Sequence, residues 1–147
     1  MTFRQLFLIW CNISTLQGMK KFAQSDSNIW RSLLIPFAFL AIMWIVFGIE
    51  HYMHISFNSY GIYPRDFTGL RGIIFSPFIH GDFNHILNNS YPVLILGTAI
   101  YYFYSKSANT VMIYSFLMTG LWVWAMARPS FHIGASGLIY AWGAFLF

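Results

Sequence analysis

At 147 residues the chain is long enough for one domain and too short for several. Charged residues make up 8% of it, hydrophobic residues 58% and aromatic residues 21%, against roughly 25% charged and about 45–50% apolar in soluble domains. Eight basic and four acidic residues cannot clothe a water-facing surface of this size, so most of what the fold exposes must face lipid; the same balance excludes a disordered tail and a nucleic-acid module, and the lone Cys11 excludes an intrachain disulfide scaffold.

Residues 1–31 form a basic, mixed flank, with Arg4, Lys20, Lys21 and Arg31 against Asp26. Within it Leu6–Trp10 is too short to span and lacks a small-residue cleavage site, which reads as an interfacial anchor and not a signal peptide. Residues 33–49 carry no charge and reach the lower limit of a span, with Pro36 expected in the first turn. Residues 50–82 are too polar to span and too apolar to float free, so an outer loop lying partly in the membrane interface is expected there. Two further spans are expected over about 83–104 and 110–127, joined by the polar turn Lys106–Asn109, and a fourth apolar helix over 134–147. This gives an all-α, polytopic membrane helical bundle, with a partial membrane domain over 32–147.

The basic residues set the orientation. With the amino terminus inside, the inner side holds Arg4, Lys20, Lys21, Arg31 and Lys106, and the outer side holds Arg65, Arg71 and Arg128. That excess places the chain in the cell membrane with a cytoplasmic amino terminus. Spans two and four then both enter from outside, which brings His85 and Asn89 to the depth of Ser136, about 5–10 Å from the outer boundary at about 1.5 Å per residue. His85 and Asn89 are spaced i, i+4 and share a helix face. A single amide in a span is ordinary packing glue. His85, Asn88 and Asn89 with Asn84 at one depth, opposite a glycine-flanked serine, instead read as a functional site. His51 and His54 have a weak HxxH metal spacing with no acid or cysteine placed to complete it, so neither a metal nor another cofactor is expected.

The pattern His80-Gly-Asp-Phe-Asn-His85-Ile-Leu-Asn-Asn89, followed by Gly134-Ala-Ser136-Gly137 and by Tyr140 one turn on, resembles the core of the bacterial rhomboid intramembrane serine proteases. The resemblance runs from about residue 35 to the end. It implies a rhomboid-type bundle with about four of six spans present, transmembrane proteins as substrates and the lipid bilayer as surroundings. By the same resemblance Ser136 is the nucleophile, His85 and Asn89 donate to the oxyanion, and His80, Gly134, Gly137 and Tyr140 support them. The family's Trp-Arg pair in the first loop is not found; Arg71 follows Leu70 near that place, and Trp30-Arg31 lies on the other side of span one. The family's general base is a histidine on its sixth span, so these 147 residues are expected to be inactive by themselves. His132 is nearest to Ser136 in sequence but precedes Gly134. The alternative reading is a non-catalytic rhomboid-like protein that binds client transmembrane helices.

Overall fold

A computed structural model describes residues 29–147; the Leu6–Trp10 segment lies outside the described residues. The described chain is helical and contains no strand, only one antiparallel bridge between Ile62 and His132. Five α-helices follow in order: α1, Ile29–Met53; the short α2, Gly72–Phe75; α3, Phe83–Phe103; α4, Ala108–Met126; and α5, Ser136–Leu146. Both α1 and α4 are long and apolar enough to cross a membrane. The 21 residues of α3 reach about 31 Å, also the thickness of a hydrocarbon core.

Helix α1 is already formed at Ile29, the first described residue and four before the expected span. Pro36 therefore lies beyond the first turn, where the ring removes the amide that would bond to Ser32. Pro36 instead packs on α3: a Cβ on Gly97 would lie 2.9 Å from Pro36 Cγ, so the missing glycine side chain sets how closely the two helices approach. Further along α1, Trp44 Nε1 donates to Ser90 Oγ at 3.0 Å, and Ser90 Oγ donates to Ile86 O at 2.7 Å. As numbers rise along α1 they fall along α3, so the two run antiparallel. In the low-dielectric core each polar group must find a partner within the protein, and Ser90 meets that demand for two helices.

Helix α3 starts where Asp82 caps it, its carboxylate accepting from His85 N at 2.9 Å. The turn over residues 104–107 is short enough to make α3 and α4 antiparallel neighbours. Buried Met43, Ile86, Val93, Ile100, Leu138 and Trp142 form the core between α1, α3 and α5. The outward surface is apolar too, with Trp30, Phe37, Ile45, Ile95, Trp122 and Met126 all exposed. That pattern is the reverse of a soluble domain and belongs to a bundle in lipid.

The loop from α1 to α3 is built from short helices, at Asn58–Tyr60, Phe67–Arg71, α2 and Ser76–Phe78. It is fastened to α4 and to the approach to α5 through residues 62–66. Arg65, at φ +59°, donates from its backbone to Trp124 O at 3.0 Å and from Nη1 to Ala127 O at 3.1 Å, while Trp124 Nε1 donates to Asp66 O at 2.8 Å. The guanidinium thus meets the carbonyls that the end of α4 leaves without helical partners. Asp66 caps the next turn, and the Thr68 hydroxyl and amide hold its carboxyl below the usual carboxylate range. Ile62 and His132 exchange both backbone hydrogen bonds at 2.9 Å, tying the loop to the approach to α5.

Candidate active site

Three segments converge at one end of the bundle: the start of α3, the end of the loop, and the turn into α5. Gly134 is the point of closest approach. It stands at φ +99°, and a Cβ there would lie 2.5 Å from His85 Nε2, 2.7 Å from His85 Cε1 and 3.4 Å from Asn89 Nδ2. Only glycine combines that backbone conformation with that contact. The Gly134 amide donates to Ser76 O at 2.8 Å, which fixes the turn against the buried end of the loop.

Two residues later Ser136 is the first residue of α5, and it is exposed. The backbone amides of this first turn have no helical acceptors and no side-chain cap, so they are free to bind negative charge. Asn89 is 5% exposed, and its Nδ2 has no hydrogen-bond partner among the described residues. A buried amide donor left open costs about 1–3 kcal/mol; Thr98 Oγ1 in α3 and Trp142 Nε1 in α5 are likewise buried without a partner among the described residues, but of the three only Asn89 lies beside the turn that leads to Ser136.

Further along, Trp142 lies 3.7 Å from the place of a Gly97 Cβ. Contacts of 134 with 85 and of 142 with 97 show that α3 and α5 run parallel, so the starts of both helices share one depth. Gly137 meets α4, where a Cβ would touch Thr119 Cβ at 3.4 Å. Tyr140 is exposed and shares with Ser136, Gly137, His132 and Phe116 a recess of about 190 Å³.

His80 is 2% exposed, and its ring packs edge-on against His85 with centroids 4.9 Å apart. It precedes α3 and lies outside the spans. Burial, and next the neighbouring His85, push its pKa down to about 4, so it is neutral at physiological pH. His132 also lines the recess at Ser136, yet its Nε2 lies 3.0 Å from Arg128 O and 3.4 Å from Ser130 Oγ, within its own turn.

The structure thus brings His80, His85, Asn89 and Gly134 into one packed group, with Ser136 on the next turn of chain and Gly137 and Tyr140 on the α4 side. Sequence reasoning missed Ser76, whose contribution is a backbone carbonyl and so leaves no trace in residue type. It also missed the Ile62–His132 bridge. Among the described residues no cluster of His, Cys, Asp or Glu could hold a metal ion.

Residues 68–147 match the Rhomboid domain family. Uncharacterised proteins of Mycobacterium tuberculosis and Mycobacterium bovis are each 32% identical over 114 residues, which is 74% of this chain and 48% of theirs. A relative in Mycobacterium leprae is 32% identical over 114 residues, covering 74% of this chain and 45% of its own. The chain therefore spans about half the length of the curated relatives it matches. No solved structure matches.

Proposed function

The chain belongs to the rhomboid family, and from that premise we propose that it carries the nucleophile and oxyanion site of an intramembrane serine endopeptidase. Ser136 attacks the scissile carbonyl of a transmembrane substrate near the outer membrane boundary. The oxyanion formed is received by Asn89 Nδ2, the His85 ring and the backbone amide of Ser136. The observation that carries this reading is the open, buried Asn89 amide beside Gly134, two residues from a serine at a helix start. Donors already in place need no reorganisation as charge develops, and in a water-poor site they act at low dielectric.

Serine at its free pKa is a weak nucleophile and needs a positioned base. His85 is engaged as a donor in this reading, His80 is buried and neutral, and His132 is held by Arg128 and Ser130. This reading therefore takes the base to be a histidine outside these residues, as the resemblance to the family's sixth span implies. Membrane orientation follows the basic residues, with a cytoplasmic amino terminus; a reporter fused after Lys106 is then cytoplasmic and one between Tyr60 and Arg71 is outside.

The test is reactivity of Ser136. The 147 residues alone are expected not to react with a fluorophosphonate probe, whereas a version extended through later spans labels at Ser136 and cleaves a model transmembrane substrate. In the extended protein Ser136→Ala abolishes cleavage, and Asn89→Ala lowers it by roughly 10²–10³. An extended protein that binds client helices and never labels would overturn the protease reading in favour of a non-catalytic helix-binding member of the family.

A further inference from the structure

A second cavity, of about 550 Å³, opens between the last turns of α1 and the entry to α3 and shares no lining residue with the recess at Ser136. Two of the chain's four carboxylates, Glu50 and Asp82, line it, and among the described residues no Lys or Arg does. Neither carboxylate is fully engaged. Glu50 Oε1 accepts from Phe57 N at 2.6 Å, while Oε2 is buried without a partner among the described residues. Asp82 spends one oxygen on capping α3.

Trp44, Phe47 and Phe83 give the wall its aromatic face, and His51, Ile55, Ser56, Asn58 and Gly81 line the remainder beside His80. Trp44 stands edge-on to Phe47 and to Phe83, with centroids 6.1 and 5.9 Å apart. His80, only 2% exposed, lines the same cavity, and neither ring nitrogen has a hydrogen-bond partner within 3.5 Å among the described residues. It is neutral, so it adds no charge to oppose a cation.

The buried, open Glu50 oxygen and the exposed Asp82 carboxylate line one cavity with aromatic rings, and both the carboxylates and the ring quadrupoles attract positive charge. A bare metal ion is a poor match, since the described residues offer no cluster of three metal-ligating side chains and the space far exceeds one ion. An alkylammonium group fits better: its charge is diffuse, its carbon surface suits the rings, and a hydroxyl or N–H can reach His80.

We propose that this cavity binds a small organic ammonium group of the choline or ethanolamine type, held by Glu50 and Asp82 and walled by Trp44, Phe47 and Phe83. The site does not depend on proteolysis and does not involve Ser136. A lipid headgroup and a free amine carry the same chemistry, and the experiment separates them.

The assay is equilibrium dialysis of radiolabelled choline against the protein purified in a maltoside detergent, which carries no ammonium group. Saturable binding is expected, displaced by unlabelled choline or ethanolamine and not by 3,3-dimethylbutan-1-ol, its uncharged isostere. Glu50→Gln keeps an acceptor for Phe57 N and Asp82→Asn keeps the helix cap, so both should fold and each should weaken binding about tenfold. Displacement by the neutral isostere, unchanged affinity in both variants, or no saturable binding by the wild-type protein would each overturn the proposal. Nanodiscs distinguish the source. Loss of choline binding in phosphatidylethanolamine discs, retained in phosphatidylglycerol discs, assigns a lipid headgroup; equal binding in both assigns a soluble amine.

Discussion

Gly134→Ala tests the packing on which the site rests. The new methyl has two separate problems. At φ +99° an L-residue is strained by about 1–3 kcal/mol, and its Cβ would sit 2.5 Å from His85 Nε2, far inside the roughly 3.5–4.0 Å of ordinary contact. His85 has little room to retreat, because His80 packs against its ring at 4.9 Å and is itself 2% exposed. Overpacking of this kind costs about 1–3 kcal/mol, so the sum is about 2–6 kcal/mol. Gly143 supplies the control, on the helix that Gly134 leads into: a Cβ there meets nothing within 4 Å, and Ala should stabilise α5 by about 0.5–1 kcal/mol. Thermal unfolding in maltoside, followed by helical circular dichroism, should show Gly134→Ala melting on the order of 10 °C lower and Gly143→Ala about 2–4 °C higher. If Gly134→Ala melts with or above the wild type, the turn into α5 does not lie against His85, and the oxyanion geometry built on it fails.

Three other outcomes follow from particular contacts. Ser90→Ala leaves Trp44 Nε1 without its acceptor and should cost about 1 kcal/mol, with a coupling to Trp44→Phe of about 0.6 kcal/mol in a double-mutant cycle. The pKa of His80 is lowered from 6.5 to about 4 in the fold, so between those values the unfolded chain binds the extra proton. Stability is then complete above about pH 6.5 and lost as pH falls toward 4, and His80→Phe should flatten that slope in pH-dependent melting. Arg65→Ala removes the guanidinium from Ala127 O and should make the Tyr63–Leu70 segment several-fold more sensitive to limited proteolysis, while the α-helical signal is unchanged.

The bundle and the residues of the site were legible because lipid makes composition decisive. An apolar run such as residues 110–127 has little choice but to become a helix when no water can satisfy its backbone, and polar side chains inside such runs stand out for the same reason. His85, Asn89 and Ser136 are grouped by depth from the sequence alone, and in the fold α3 and α5 run parallel with Gly134 against His85. What residue types could not convey is the path of the loop. Arg65 takes a left-handed backbone that arginine rarely adopts, and it does so because the end of α4 offers carbonyls and the loop must turn there. The Ile62–His132 pair and the Gly134 amide on Ser76 O are backbone bonds, to which side-chain identity is nearly blind.

That loop is more than a connection, and its fastening bears on the site. Gly134 is held between two surfaces: on one side Ser76 O accepts its amide, on the other the His85 ring and the Asn89 amide meet its bare Cα. Ser76 in turn sits at the end of a segment anchored to α4 by Arg65 and Trp124 and to the α5 approach by Ile62. Helices α3 and α4 therefore both bear on the position of Ser136, α3 by direct contact with Gly134 and α4 through the loop. Small-residue helix contacts in lipid permit some sliding, since apolar side chains find nearly equal partners in neighbouring tails. Backbone hydrogen bonds do not slide; each has one donor and one acceptor, and losing it inside the membrane costs several kcal/mol. A reacting constellation needs positions held to within about 0.5 Å, and it is the hydrogen-bonded loop, more than the apolar spans, that has the directional contacts to hold them.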